Sequence, residues 1–167
     1  ESSPAAGDWD GVNIGYYDQG SVLEGLTLEY AGDNGTAGLY LYYSDPEITD
    51  STIADNLNYG IYVYAAEPEI TGTTVQDNED TGIYIASNSG LDDSNTPGFT
   101  NNTITGNGGY AMEIPANYLG ELDASTSSFS GNTNDYIVVL ADTITEDADW
   151  QDHDAPYLFS GNVHIQH

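Results

Sequence analysis

The chain has 167 residues, 28 of them acidic, with no Lys or Arg and no Cys, giving a formal net charge of −28. That length suits one domain. Nothing in it can neutralise phosphate, so nucleic acid is excluded as a partner, and no disulfide staples the chain. No apolar run is long enough to cross a bilayer, so membrane insertion is not expected.

In chain order, residues 1–8 read as a lead-in loop, with Trp9 packing at the first structural unit. Gly11-Val12-Asn13-Ile14, with Leu23 and Leu28, form that unit. A Gly-rich insert, 32–37, precedes Gly38-Leu39-Tyr40-Leu41 and Ile48-Thr49-Asp50-Ser51-Thr52-Ile53. The phrase then returns as Asn56-Leu57-Asn58-Tyr59-Gly60-Ile61-Tyr62-Val63-Tyr64 and Ile70-Thr71-Gly72-Thr73-Thr74-Val75, and again as Asn78 followed by Gly82-Ile83-Tyr84-Ile85. Gly60 to Gly82 and Asn56 to Asn78 are both steps of 22. The next step is 29, to Asn107 and Ala111, and the one after is 25, to Asn132 and Tyr136. Two landmarks that stay four residues apart while the unit length changes mark a repeat with a fixed corner and a variable loop. The loops are 88–98, 116–120 and the acidic connector 147–156, before a half unit from Leu158 to Val163.

Within a unit, Gly-Ile-Tyr-Val-Tyr alternates, so Ile61 and Val63 face one way and Tyr62 and Tyr64 the other. Ile70 and Val75 flank a Gly72 corner and face the same interior. One such unit cannot bury its apolar edge alone, whereas stacked units bury them all. The expected fold is all-β: a parallel β-solenoid of about six coils with three short strands per coil, one domain over 1–167. Asn56, Asn78, Asn107 and Asn132 then form a structural column, because an amide both donates and accepts and so can bond up and down a stack. Asn also tolerates the left-handed backbone of a tight corner. Ala31 holds the same place in the first unit.

The phrase Asn-x-x-x-Gly-Ile-x-Val, followed by Ile-Thr-x-x-Thr-Val-x-x-Asn, resembles the right-handed parallel β-helix repeats of the pectate-lyase-like superfamily. The opening from Pro4 to Val12, the stretch from Val22 to Gly32 and the closing Asp154 to Val163 resemble segments of large secreted bacterial and archaeal β-helix proteins. The resemblance implies a right-handed coil. It implies little about activity, since the same coil carries lyases, hydrolases, adhesins and spacers. A chain starting at Glu1 is expected to be a piece of a longer one.

Two outward columns are candidate contact surfaces. Tyr40, Tyr62 and Tyr84 share one position of adjacent coils, with Tyr42 and Tyr64 two residues on. They make either an aromatic ladder that stiffens the sheet or a platform for sugar rings or a partner protein. Glu113 would end that column with a carboxylate. Thr27, Thr52, Thr74, Thr103 and Ser128 form the second column, expected to hydrogen-bond between coils; the surrounding acids argue against an ice-binding face. Self-repulsion of the acidic surface points to divalent cations, with calcium the candidate ion and solvated acidic loops without a bound ion the alternative reading. The candidate calcium ligands are Asp77 and Asp80 at one corner and Asp147, Asp149, Asp152 and Asp154 near the end; Asp142 and Glu146 lie close by in sequence. No other cofactor is expected.

As an enzyme the chain is poorly equipped. The lyases of the resembling superfamily need a basic side chain, and this chain has none. A hydrolase needs two carboxylates, for which Asp92, Asp93 and Glu113 are the candidates, but the basic subsite of the polygalacturonases is missing. His153 sits in an Asp-His-Asp run, and His164 and His167 have no recognisable partner. The expected function is that of a noncatalytic, rigid, adhesive module, extracellular or on the cell surface, stacking on neighbouring coils or on itself. A carbohydrate-binding or carbohydrate-hydrolysing domain, with polysaccharide as partner, is the alternative.

Overall fold

The computed structural model describes residues 3–166 apart from 17, 19, 93–97 and 146–148. The chain winds as a parallel β-solenoid. Coil one holds β1 (Val12–Gly15), β2 (Val22–Glu24) and β3 (Thr27–Glu29), and coil two β4 (Ala37–Tyr42), β5 (Glu47–Thr49) and β6 (Thr52–Ala54). Coil three holds β7 (Tyr59–Tyr64), β8 (Glu69–Thr71) and β9 (Thr74–Gln76), and coil four β10 (Ile83–Ile85), β11 (Phe99–Thr100) and β12 (Thr103–Thr105). Coil five keeps β13 (Tyr110–Pro115) but replaces its second strand with a 3₁₀ helix, Ala116–Glu121, and retains only bridges from Leu122 to Phe99 and from Ser128 to Thr103. Coil six contributes β14 (Asn134–Leu140) and β15 (Asp142–Ile144), and the closing half turn β16 (Tyr157–Phe159) and β17 (Val163–Ile165). Three strands per coil therefore holds for the first four coils. In coil five the helix takes up the chain that would have formed the second strand, and coil six keeps two named strands.

Every named strand pair is parallel. The long sheet runs β1-β4-β7-β10-β13-β14-β16, two shorter sheets run β2-β5-β8-β11 and β3-β6-β9-β12, and β15 pairs with β17. The register stacks like on like: Val12, Leu39, Ile61, Ile83, Met112 and Ile137 form one inward column of the long sheet. The shorter sheets add Leu23-Ile48-Ile70-Phe99 and Leu28-Ile53-Val75-Ile104. A one-residue bulge between Tyr110 and Met112 absorbs an extra residue of β14. A fully buried aliphatic side chain gains roughly 1.5–3 kcal/mol, while one hydrogen bond nets about 1 kcal/mol. The columns therefore drive the stacking, and the polar ladders between them fix its register.

The asparagine ladder is continuous. Asn56 Nδ2 donates to Asn78 Oδ1 at 2.8 Å, Asn78 to Asn107 at 2.9 Å and Asn107 to Asn132 at 2.9 Å, all four side chains being buried. Ala31 tops the column by donating its backbone N–H to Asn56 Oδ1 at 2.9 Å. The left-handed backbone expected of these asparagines belongs to the residue before each: Asp55 (φ 53°), Asp77 (54°), Gly106 (71°) and Gly131 (91°). The corner thus divides its work, one residue turning the chain and the next aiming an amide inward.

A second ladder, absent from the sequence reading, runs through the corner between the second and third strands. Leu26 N–H donates to Ser51 Oγ at 3.1 Å, Ser51 N–H to Thr73 Oγ1 at 3.4 Å, Thr73 N–H to Asn102 Oδ1 at 2.9 Å and Asn102 N–H to Ser127 Oγ at 3.1 Å. These residues each precede a member of the outward column Thr52-Thr74-Thr103-Ser128. That column is in register as expected, but among the described residues its threonine hydroxyls make no bond between coils. The intercoil bonds are made one residue earlier.

Candidate functional site

The outer face of the long sheet is a field of tyrosines. Tyr40, Tyr62, Tyr84 and Glu113 are successive partners in register, and Tyr42 pairs with Tyr64. Tyr62 and Tyr84 stack with ring centroids 4.9 Å apart, and Tyr42 and Tyr64 stack at 5.4 Å, whereas Tyr40 meets Tyr62 edge-on at 5.4 Å. The column is therefore an alternation of stacked and edge contacts, both favourable for ring quadrupoles. All five rings are partly exposed.

Three further tyrosines join this face. Tyr59 lies 5.2 Å from Tyr84 and 5.5 Å from Tyr62. Strict alternation from Tyr62 would turn Tyr59 inward, but Gly60 resets the phase. A Cβ on Gly60 would lie 2.5 Å from Val75 Cγ1 and 2.7 Å from Asn78 Nδ2. Gly60 and Ile61 both point inward, and Tyr59 is returned to the outside. Gly38 and Gly82 face ladder residues Asn56 and Asn107 in the same way, which is why glycine recurs at this landmark. Tyr16 and Tyr43 occupy the opposite corner, with φ of 20° and 52°. Their rings stack 4.8 Å apart and are 60% and 46% exposed. Positive φ is uncommon for a bulky side chain, and here it throws both rings clear of the sheet.

At the downstream end the face becomes acidic. Glu113 is half-buried and accepts a hydrogen bond from the Thr81 hydroxyl at 3.2 Å. Burial pushes its carboxyl above the usual range; the Thr81 bond pulls the other way, and Asp80 adds to the rise. Burial, with Asp80, Glu113 and the neighbouring Tyr84 and Tyr62, pushes the Tyr59 phenol up to about 12. Burial also raises Tyr84, with Glu113 contributing, and Tyr62. The end of the platform thus gathers three phenols and a carboxyl whose hold on the proton is strengthened chiefly by burial. A cleft of about 250 Å³ lies past the opposite corner, lined by Asp45, Ala65, Ala66, Glu67 and Asn88.

The family described as right handed beta helix region matches residues 7–146. The chain belongs to the right-handed β-helix family. Comparison with curated proteins and with solved structures gave no significant match in either case.

The acidic candidates of this β-helix are dispersed. Asp77 is exposed at its left-handed corner, and exposed Asp80 accepts the Thr81 N–H at 2.8 Å. Asp149 and Asp152 are exposed, and Asp147, Glu146 and Asp93 lie outside the described residues. Asp154 is engaged in structure, accepting from Ser128 Oγ at 2.6 Å, Phe129 N–H at 2.8 Å and Ser130 Oγ at 2.9 Å. Partial burial opposes its ionisation, but these donors prevail and hold the carboxyl below the usual range. Asp142 accepts from Asn117 and Thr143 backbone N–H groups. Among the described residues no three His, Asp or Glu side chains converge on a position suited to a metal ion. His153 of the Asp-His-Asp run packs edge-on against Phe129 at 5.0 Å and Tyr157 at 5.7 Å. Burial holds its imidazole below the usual value against the pull of Asp154, Asp123 and Asp152. Trp9 bridges to Ala31 and donates its indole N–H to Glu29 O at 2.8 Å, which ties the lead-in to the first coil.

Proposed function

We propose that this β-helix is a noncatalytic structural and adhesive module of an extracellular or cell-surface location, and that the tyrosine face of its long sheet is the adhesive surface. The observation that carries this reading is the register of Tyr40, Tyr62 and Tyr84 with the parallel pair Tyr42 and Tyr64. Rings fixed to a rigid parallel sheet lose little freedom on contact, which favours binding through aromatic area. The acidic, Lys- and Arg-free composition supports a location outside the cytoplasm, with calcium and other divalent ions damping self-repulsion.

The natural partners are further coils of the same kind or second copies stacked end to end. β1 and β16 are the outermost strands of the long sheet. In the last half turn, inward-column Phe159 and neighbouring Ile165 are 48% and 63% exposed. An exposed strand edge backed by apolar side chains favours such addition. Concentration-dependent growth in sedimentation supports stacking of copies; one monomeric boundary at high concentration contradicts it.

A second reading, a domain that hydrolyses the polysaccharide it binds, is favoured by Glu113: a half-buried carboxyl with raised proton affinity at the end of an aromatic platform is suited to proton donation. The two readings separate in one assay on immobilised neutral polysaccharide. The adhesive reading expects retention without release of reducing sugar across the acid-to-neutral range. Sugar release that disappears in Glu113→Gln would establish the enzyme instead.

A further inference from the structure

The tyrosine face contains one contact that adhesion does not require. Tyr16 Oη and Tyr42 Oη lie 2.8 Å apart, within one hydrogen bond, and the ring centroids are 4.7 Å apart. The two residues belong to successive coils, Tyr42 being the partner of Gly15 in the register of β1 with β4. Tyr16 is 60% exposed, so a diffusing reagent reaches it directly. From Tyr42 the rings continue to Tyr40 at 5.8 Å, Tyr62 at 5.4 Å and Tyr84 at 4.9 Å, a path of near contact across four coils. Sulfur offers little competition as a sink for oxidising equivalents: there is no Cys, and the single Met, Met112, is fully buried.

We propose that Tyr16 and Tyr42 form an oxidative cross-linking site, at which a one-electron oxidant joins the first coil to the second by a dityrosine bond. Each phenol gives one electron to the oxidant and its hydroxyl proton to water. The two phenoxyl radicals pair to form a carbon–carbon bond between the ring carbons adjacent to the oxygens. The hydrogens on those carbons leave as protons, and the two oxygens are reprotonated. The net change is the loss of two electrons to two equivalents of the one-electron oxidant and of two protons to water. In the product the two hydroxyls flank the new bond; the hydroxyl contact at 2.8 Å with centroids 4.7 Å apart brings the two ring edges within reach, and the rings, now 88° apart, must turn toward each other. The remaining change is a ring rotation, which is fast for an exposed side chain. The link closes a loop between coils and acts as a disulfide would in a chain that has no cysteine.

The test uses the whole protein, dilute, with photo-excited ruthenium tris-bipyridine and persulfate as the one-electron oxidant. A glutamate-specific protease replaces trypsin, which has no site here. The expected result is a monomer lighter by two hydrogens, with dityrosine fluorescence and fragment spectra joining Tyr16 to Tyr42. The linked form melts at a higher temperature. Tyr16→Phe and Tyr42→Phe each lower the yield at least tenfold while circular dichroism stays that of the parent, and Tyr136→Phe, an exposed tyrosine away from the pair, does not lower it. Links formed elsewhere or only between copies, oxidation confined to tryptophan, or an undiminished yield in folded Tyr16→Phe would overturn the proposal.

Discussion

Asn78 uses its full side-chain hydrogen-bonding capacity inside the protein. Its Oδ1 accepts from Asn56 N–H at 3.1 Å and Asn56 Nδ2 at 2.8 Å, and its Nδ2 donates to Ile53 O at 3.3 Å and Asn107 Oδ1 at 2.9 Å. Asn78→Ala leaves two donors of Asn56 without an acceptor in a site closed to water, at a cost of about 2–4 kcal/mol. That corresponds to a fall of roughly 4–16 °C in melting temperature for a chain of this size. Neighbouring threonines give a sharper contrast. Thr73→Val should cost about 1–2 kcal/mol because Thr73 is buried and its hydroxyl bridges Ser51 N–H and Thr71 O. Thr74→Val should stay within about 0.5 kcal/mol; equal losses at the two positions in urea melts would contradict the ladder. The first ladder was legible because one residue type returned at matching steps. The second was not, because Ser51, Thr73, Asn102 and Ser127 share a position and an acceptor oxygen but not a residue type, beside a column of threonines that looks more regular. Tyr59 escaped for a related reason: the phase of the strand resets at Gly60, and alternation cannot report an inward glycine.

At the scale of elements, the join between coils five and six departs most from the repeat. The 3₁₀ helix removes the regular second strand, and the return of coil six is fastened by side chains instead. Gln151 Oε1 accepts from Ala124 N–H at 3.0 Å, and Asp154 gathers three donors from Ser128, Phe129 and Ser130. The Asp154 pKa is depressed in the folded state, so its contribution is present above the ordinary carboxylate range and is lost as pH falls through the folded value. Asp154→Asn should therefore melt lower than the parent at neutral pH, and the two curves should converge in strong acid. A gap that persists or widens in acid would mean that packing, rather than ionisation, holds this join. The sequence marked 147–156 as an acidic connector and offered Asp147, Asp149, Asp152 and Asp154 alike as calcium ligands. Nothing in its spacing distinguished Asp154, which is structural, from exposed Asp149 and Asp152, because the distinguishing donors come from a different coil.

For the whole molecule, 28 acidic residues face no compensating Lys or Arg. Some stack directly: Glu47 and Glu69 are register partners, and burial, Glu47 and Asp92 push the Glu69 carboxyl upward. Screening acts over about 10 Å at 0.1 M salt, so the melting temperature should rise by several degrees from low salt to molar sodium chloride. Calcium, as part of the proposed setting, should stabilise more than sodium at equal ionic strength. Equal effects, with chelator changing nothing at low salt, would reduce calcium to ordinary screening. The coil itself was legible from period, alternation and corner glycines. The reach of the tyrosine face was less so, since Tyr16 and Tyr43 extend it from left-handed corners that no strand pattern describes.

The claim that matters most for function is that the tyrosine face makes contact with a target and does more than cover the sheet. Its direct measurement is retention on immobilised neutral polysaccharide by Tyr62→Ala, paired with the melting temperature of the same variant and with Thr74→Ala as a control on another sheet. The account predicts roughly tenfold weaker retention for Tyr62→Ala, with the variant folded and the control unchanged. Retention equal to the parent in a folded Tyr62→Ala protein would contradict it.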